Sequence, residues 1–152
     1  MSSMQRDYVL GFSFDLKTEH VVLIRKNKPE WQKGKWNGVG GKIERGETPI
    51  IAMRREFEEE TGIKESEQGD WAEFALLDGP GFQVYVFRSW IPHTVLRSAY
   101  TRAGEVVAIW SMRELFDGIA CVSNLKALIA LALITDDPRS GSSLSRTILH
   151  YV

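Results

Sequence analysis

The sequence predicts a single α/β domain, a sandwich in which helices pack against a mixed β-sheet. Its 152 residues are 43% hydrophobic, which suffices for one buried core but leaves little for a second folding unit. Stretches rich in β-branched and aromatic residues stand before, between and after two stretches with helical features. Because strands and helices follow each other in mixed order, we expect residues 1–152 to form one layered domain.

The N-terminal elements are predicted to be two strands joined as a hairpin. Tyr8–Phe14 and His20–Arg25 are β-branched and aromatic, and the residues between them are polar enough for a turn. The polar segment Lys26–Lys35 contains a proline and a glycine and is typical of a loop. It leads to a segment in which three glycines within four residues favour unusual backbone geometry: Gly38, Gly40 and Gly41.

The clearest helix is predicted between Thr48 and Gly62. Thr48 can cap the first turn, and Pro49 suits the first helical position. Gly62 can adopt the left-handed conformation that ends a helix. Both ends of this helix are therefore marked by residue type.

The next part of the chain is predicted to return to β-structure. Phe74–Leu77 and Phe82–Trp90 flank the turn-forming residues Asp78–Gly81, which indicates a second hairpin. Glu105–Trp110 is expected to form one more strand.

A second helix and a short final segment complete the predicted fold. The helix is expected to start after a cap at Ser123 or Asn124 and to stop at Asp136–Pro138. Its core-facing stripe consists of Leu125, Leu128, Ile129 and Ala132. The serine- and glycine-rich stretch Arg139–Ser145 is typical of a loop, and an apolar end follows at Ile148–Val152.

Composition excludes several classes of protein. Nineteen basic and twenty acidic residues give a net charge of −1, which argues against a partner such as a nucleic acid polymer bound mainly through net charge. The single cysteine, Cys121, cannot form an internal disulfide. No signal-peptide pattern and no apolar stretch long enough for a membrane is found, so we expect a cytoplasmic protein with no membrane partner.

The first helix carries a concentration of negative charge. Glu56, Glu59 and Glu60 share a sector roughly a quarter turn from the core stripe formed by Ile50, Met53 and Phe57. Carboxylates at this spacing repel one another unless a cation offsets them. A solvated acidic face is one interpretation; the other is a site for Mg²⁺, which prefers oxygen ligands and often bridges carboxylates to phosphates.

The residues before the helix decide between these interpretations. Gly41 to Gly62 contains the pattern G-x5-E-x7-R-E-x-x-E-E-x-G, in which the spaced residues are Glu47 and Arg55 followed by the glutamates. Seven such positions match by chance on the order of 10⁻⁹ per starting point. This segment resembles the signature box of the Nudix hydrolase family, from Gly41 to Ile63. Phe57 departs from it, since the family usually has an aliphatic residue there.

The resemblance implies an α/β/α sandwich with a mixed sheet, a loop-helix-loop catalytic motif, and hydrolysis of nucleoside diphosphate-linked substrates with Mg²⁺, for which Mn²⁺ can substitute. It implies that the metal ligands are Glu56, Glu59, Glu60 and the Gly40 carbonyl. Arg55 and Glu47 would orient these glutamates through a charge-assisted pair. The base that takes the proton would be Glu56, or a glutamate on a later loop, for which Glu105 is the candidate; Glu105 could instead serve as an extra metal ligand.

The substrate prediction rests on residues outside the helix. Trp36–Lys42 resembles the Nudix branch that hydrolyses oxidised purine nucleoside triphosphates, in which Asn37 would read the base edge. Arg25 and Lys42 are candidates for substrate contact, Trp31 or Trp36 could stack on a base, and Asn124 either reads the base or caps its helix.

Other functions remain open at this stage, and substrates such as coenzyme A derivatives and dinucleoside polyphosphates have no clear marker for or against them. Pro80 lies seventeen residues beyond Ile63, close to the position of a proline that often marks ADP-ribose or nucleotide-sugar pyrophosphatases in this family. A catalytically silent nucleotide sensor with the same fold is the alternative from another class, although all the box glutamates are present. In each case the partner is a small nucleotide, and a homodimer is possible because dimers are common in the family.

Overall fold

The computed structural model describes residues 4–134 and 146–151. Within these residues eight strands form one sheet: β1 (Arg6–Asp15), β2 (His20–Arg25), β3 (Trp36–Asn37), β4 (Val39–Lys42), β5 (Ala72–Gly79), β6 (Phe82–Ile91), β7 (Val106–Ser111) and β8 (Thr147–His150). The helices are α1 (Pro49–Thr61), α2 (His93–Leu96), α3 (Met112–Phe116) and α4 (Leu125–Ile134), with 3₁₀ turns at Glu30–Gln32 and Glu65–Glu67.

The sheet is mixed, as the sequence predicts. Its strand order is β3-β2-β1-β6-β5-β8, with β4 also pairing with β1 and β7 also pairing with β2. β1 and β6 are parallel, as are β5 and β8, whereas the other pairs are antiparallel. Both predicted hairpins are confirmed, the second with Gly79 opposite Phe82 across a tight turn.

Helices cover both faces of the sheet, because side chains alternate along its buried strands. On β2, Val21 and Leu23 join the apolar cluster that contains α4, whereas Val22 and Ile24 join the cluster that contains α1. The predicted α/β/α sandwich is confirmed. The predicted α4 stripe is fully buried within the first cluster: Leu125, Leu128, Ile129 and Ala132.

Helix α1 begins and ends where the sequence predicts. The Thr48 hydroxyl accepts a hydrogen bond from the Ile51 amide, and Pro49 occupies the first turn. Gly62 ends the helix in the left-handed region, with a φ of 78°. These caps fix the direction of α1, and therefore the direction in which its glutamates project.

The glycine-rich segment differs from its prediction. Gly38, Gly40 and Gly41 are not among the glycines with positive φ, and β4 is a regular strand antiparallel to β1. These glycines provide space instead. A side chain at Gly38 would meet the Gly11 carbonyl oxygen at 2.8 Å, and one at Gly40 would overlap the Val9 carbonyl oxygen. At Gly38 and Gly40 the space allows close approach of two backbones, which a count of glycines cannot distinguish from unusual dihedral angles.

The remaining predictions have mixed outcomes. The short helices α2 and α3 were not predicted, because each is too short for helical periodicity to appear. The predicted helix stop at Asp136–Pro138 and loop at Arg139–Ser145 lie outside the described residues, as does Val152. Among the described helices, none is long and apolar enough to cross a membrane.

Candidate active site

Helix α1 presents its glutamates at the edge of its buried face. Met53 and Phe57 are fully buried under the sheet. Glu56 and Glu60 lie beside them and are partly buried, while Glu59 is the most exposed of the three. The predicted quarter-turn offset between apolar stripe and acidic sector therefore places two carboxylates at the boundary of the core.

Arg55 ties this acidic sector together. Its Nε and Nη2 atoms donate to the two carboxylate oxygens of Glu47 at 2.7 and 2.8 Å, which is a bidentate pair. Its Nη1 atom donates to Glu56 at 2.9 Å and to Glu59 at 3.1 Å, and Nη2 also reaches the Lys42 carbonyl at 3.1 Å. One guanidinium therefore positions three glutamates relative to the end of β4.

Charge pairing and burial shift the pKa values of Glu47 and Glu56 in opposite directions. The hydrogen bonds from Arg55 hold the pKa of Glu47 below its ordinary value. Burial raises the pKa of Glu56, although Arg55 opposes this shift. A side chain at Gly41 would overlap the Glu56 carboxylate, so the glycine at this position allows the carboxylate to lie against β4.

Glu60 is the carboxylate of this group that has a buried oxygen without a hydrogen-bond partner among the described residues. Burial, together with the negative charges of Glu105 and Glu56, raises the pKa of Glu60 to about 7. The buried oxygen is Oε2. Glu105 itself is held by the Lys26 ammonium at 3.2 Å and by the Asn27 amide at 3.0 Å.

The carboxylates fit a divalent cation of the Mg²⁺ type. Glu56, Glu59 and Glu60 offer hard oxygen ligands on adjacent turns of one helix. The buried oxygen of Glu60 has no donor, and a cation would supply the missing partner. Within the described residues, this is a site whose charge is only partly balanced by Arg55 and Lys26.

An open cleft of about 1230 Å³ begins beside these carboxylates. Gly40 and Gly41 form part of its wall, and Gly41 lies against Glu56. Lys26, which pairs with Glu105, also lines it. The cleft therefore connects the acidic sector to a larger surface whose polar and aromatic members include Lys28, Trp31, Gln32, Asn37, Lys42, Asn124 and Tyr151.

The structure brings most of the predicted substrate residues to this cleft. Asn37 is 8% exposed; its Oδ1 accepts from the Gly38 amide at 2.8 Å, and its Nδ2 donates to Gln32 at 3.3 Å. Asn124 lies in the same lining and donates to the Tyr151 hydroxyl at 2.9 Å. Arg25 is exposed and lies outside the lining, where Lys26 stands instead.

The two tryptophans considered for stacking have different surroundings. Trp31 is 61% exposed and lines the cleft. Trp36 packs edge-to-face against Trp110, with ring centroids 5.2 Å apart, and belongs to the apolar core. Trp31 is therefore the tryptophan that a bound base could reach.

Sequence reasoning missed some residues of the cleft. Tyr151 arrives from the end of β8, and Gln32 from a 3₁₀ turn within the predicted loop. Neither residue has a distinctive spacing from the signature box. A group at another place, Asp15 with His20 and His93, was also missed, although two histidines near strand ends were visible in the sequence.

Comparisons with known proteins agree with this geometry. A family model described as NUDIX domain matches residues 4–116. The zebrafish (Danio rerio) oxidized purine nucleoside triphosphate hydrolase is 50% identical over 42 residues, which are 28% of this chain and 27% of that relative. The match thus spans about a quarter of the relative's length.

Solved structures share the fold at low identity. A NUDIX hydrolase from Nitrosomonas europaea superposes with a TM-score of 0.68 at 16% identity, covering 99% of this chain and 82% of the other. An ADP-ribose pyrophosphatase from Streptococcus suis gives a TM-score of 0.64 at 17% identity, covering 96% and 99%.

Proposed function

The chain belongs to the Nudix family of pyrophosphohydrolases, and we propose that it hydrolyses a purine nucleoside triphosphate, in particular an oxidised one, to the monophosphate and pyrophosphate. The main support is the arrangement around Arg55, which bonds to Glu47, Glu56 and Glu59. Of these, Glu56 lies against Gly41 in the wall of a cleft large enough for a nucleotide. A second support is the partial match to a hydrolase of oxidised purine nucleoside triphosphates.

Mg²⁺ is the proposed cofactor, with Mn²⁺ as a substitute. Glu56, Glu59 and Glu60 would hold it, together with the Gly40 carbonyl at the cleft wall. When bound, it supplies neutralisation of phosphate charge and a more acidic attacking water. Arg55 acts as a positioning residue, because its bonds to Glu56 and Glu59 set the direction of both carboxylates.

Two glutamates are proposed as proton acceptors, and they differ in their surroundings. Glu105 receives hydrogen bonds from the Lys26 ammonium and the Asn27 backbone amide. Glu56 is partly buried and bonded to Arg55. Glu105→Gln should lower kcat at an unchanged Mg²⁺ requirement if Glu105 is the base, whereas Glu56→Gln should also weaken Mg²⁺ binding.

The cleft contains groups suited to a triphosphate and groups suited to a base. Lys26, Lys28 and Lys42 provide positive charge along the cleft, and Lys26 pairs with Glu105. Trp31 offers an exposed ring for stacking, and Asn37 an amide for the base edge. Recognition would therefore combine the positive charge of the lysines with the aromatic and amide groups of the same cleft.

Asn37 provides the direct test of base recognition. We expect Asn37→Ala to weaken discrimination among bases more than it slows hydrolysis, because Asn37 lines the cleft and its hydrogen bonds go to Gln32 and Gly38 rather than to the carboxylates. The measurement is kcat/KM for each nucleoside triphosphate, with thermal unfolding to check that the loss of the Gln32 hydrogen bond leaves the fold intact. Equal losses on every base would contradict this role.

A second candidate function is an ADP-ribose pyrophosphatase. Pro80 and Lys42 both line the cleft, and the ADP-ribose pyrophosphatase from Streptococcus suis shares the fold. A Mg²⁺ assay across nucleoside triphosphates, oxidised purine triphosphates and ADP-ribose separates the two. Pyrophosphate with a monophosphate supports the first proposal, and AMP with ribose phosphate supports the second. Binding without turnover would instead indicate a nucleotide sensor, and both enzymatic proposals would fail.

A homodimer is a further proposal for this chain. Its test is the molecular mass in solution, measured by sedimentation equilibrium at several protein concentrations. A mass equal to one chain of 17.3 kDa at every concentration would exclude the dimer.

A further inference from the structure

A second group of side chains that could bind a metal ion lies further along the sheet, away from the cleft. Asp15 ends β1, His20 begins β2 and His93 begins α2. One ligand atom from each of these residues lies within 4.8 Å of the other two. Gly40 of the cleft pairs with Leu10 on β1. Because Asp15 comes five residues later on the same extended strand, it is roughly 16 Å from that pairing.

Strand pairing builds this group from segments that are distant in sequence. The β1–β2 hairpin reverses the chain, so that His20 returns beside Asp15. The parallel register of β1 and β6 places Ile91 opposite Asp15, and His93 follows two residues later. Sheet geometry therefore fixes where all three side chains start, and no flexible loop is needed to bring them together.

The Asp15 carboxylate is held in one orientation. It is 3% exposed, and its Oδ1 atom accepts from the backbone amides of Glu19 at 2.8 Å and His20 at 3.2 Å. Its Oδ2 atom is thereby directed at both imidazoles, with His20 Nδ1 at 2.8 Å and His93 Nδ1 at 3.0 Å. Backbone bonds of this kind orient ligating carboxylates in metal sites.

We propose that Asp15, His20 and His93 bind a divalent transition-metal ion of the Zn²⁺ type, with water completing its coordination. Imidazole ligands suit such ions, whereas Mg²⁺ and Ca²⁺ prefer oxygen. Metal–ligand bonds of about 2.0–2.2 Å in a tetrahedron separate neighbouring ligand atoms by about 3.3 Å. The observed separations of 2.8 and 3.0 Å need to lengthen by only a few tenths of an ångström.

The site is open to an ion from solvent. The side chains of His20 and His93 are 32% and 43% exposed, while Asp15 lies beneath them. Each ring would bind as neutral imidazole through Nδ1, with its proton on the other nitrogen. Since the ligands come from the β1–β2 hairpin and from the start of α2, the ion would tie these two segments together and stabilise the folded state.

The chain contains its own matched control. Its third histidine, His150, is exposed and lies 3.4 Å from Asp78, so it forms a histidine–aspartate pair without a second imidazole. The experiment titrates ZnCl₂ into the metal-stripped full chain, His93→Gln and His150→Gln, in excess Mg²⁺ to fill the carboxylate sector. Bound Zn²⁺ is counted by equilibrium dialysis, and the imidazole nitrogens are followed by NMR.

The expected result is one Zn²⁺ per chain in the wild type and in His150→Gln, and its loss in His93→Gln. The nitrogen signals of His20 and His93 should shift on Zn²⁺ addition, while those of His150 should not. Unmoved signals for His20 and His93 in the wild type would overturn the proposal without reliance on any variant. Equal Zn²⁺ binding by His93→Gln and His150→Gln, with folding verified by circular dichroism, would overturn it as well.

Discussion

Replacement of Arg55 by lysine tests whether its guanidinium organises the carboxylates. Arg55 contacts both oxygens of Glu47, and it also reaches Glu56, Glu59 and the Lys42 carbonyl. A lysine keeps the positive charge but is a point donor on a flexible stem, so it cannot reproduce this planar fork. Arg55→Lys therefore separates the geometry of the contact from its charge.

The expected size of the effect follows from what Arg55 touches. Each bond to a carboxylate is worth about 1.5–3 kcal/mol in a well-shielded position. The Arg55 side chain is 21% exposed, so solvent screening reduces that value. Loss of a residue that orients metal ligands typically costs 10- to 100-fold in metal affinity, or about 1.4–2.8 kcal/mol. We expect the Mg²⁺ half-saturation concentration to rise by that factor.

The assay measures initial rates of nucleotide hydrolysis against Mg²⁺ concentration. Arg55→Lys should regain most of its activity at high Mg²⁺, because its glutamates remain present. Arg54→Lys is the matched control, since Arg54 precedes Arg55 on α1 and is exposed. If both variants reach half-saturation at the same Mg²⁺ concentration as the wild type, Arg55 does not organise the metal ligands.

Other side chains of α1 lead to predictions of their own. Glu59→Gln should leave the fold intact and reduce Mg²⁺-dependent turnover by orders of magnitude, because a proposed metal ligand is lost. Turnover close to that of the wild type would refute the assignment of Glu59 as a ligand. Because the pKa of Glu60 is raised to about 7, the Mg²⁺ affinity measured by calorimetry should rise with pH up to about 7 and then level off. The same shift means that the folded state binds more protons than the unfolded state between about pH 4.5 and 7, so the contribution of Glu60 to stability falls across that range. A Mg²⁺ affinity that does not change with pH would contradict the first statement. A metal-free stability whose pH dependence is unchanged by Glu60→Gln would contradict the second. Phe57→Leu should lower the free energy of unfolding by about 1–2 kcal/mol in urea titrations and leave activity intact. The reason is that it removes an edge-to-face contact with Trp71, whose ring centroid lies 5.1 Å from that of Phe57. An unchanged free energy of unfolding would show that the aromatic ring contributes nothing to stability.

The sequence predicted those features that depend on neighbouring residues. Thr48, Pro49 and Gly62 bound α1 because caps act within one turn of the chain. The grouping of Glu56, Glu59 and Glu60 followed from helical periodicity alone. The family resemblance, carried by the same segment, is confirmed by the family model, and the predicted sandwich is confirmed by the sheet and its two helical layers.

The prediction for the glycines failed because their role depends on residues that are distant in the sequence. The presence of glycine at positions 38, 40 and 41 does not indicate whether the backbone there needs unusual dihedral angles or neighbouring atoms need the space of a side chain. The close approach of β4 to β1 and to the Glu56 carboxylate is a long-range property. The run of glycines therefore identified the important segment, but the predicted reason for it, unusual backbone geometry, was wrong.

The sequence by itself determined the acidic helix, its caps and the family of the chain, because these depend on residue types at fixed short spacings. Only the tertiary structure decided that Lys26, rather than Arg25, lines the cleft and that Asn124 meets Tyr151 there. Only the parallel register of β1 and β6 brought His93 to Asp15. The physical reason is the same in each case: strand pairing joins residues at separations that carry no periodic signal, so their contact becomes visible only when the sheet is formed.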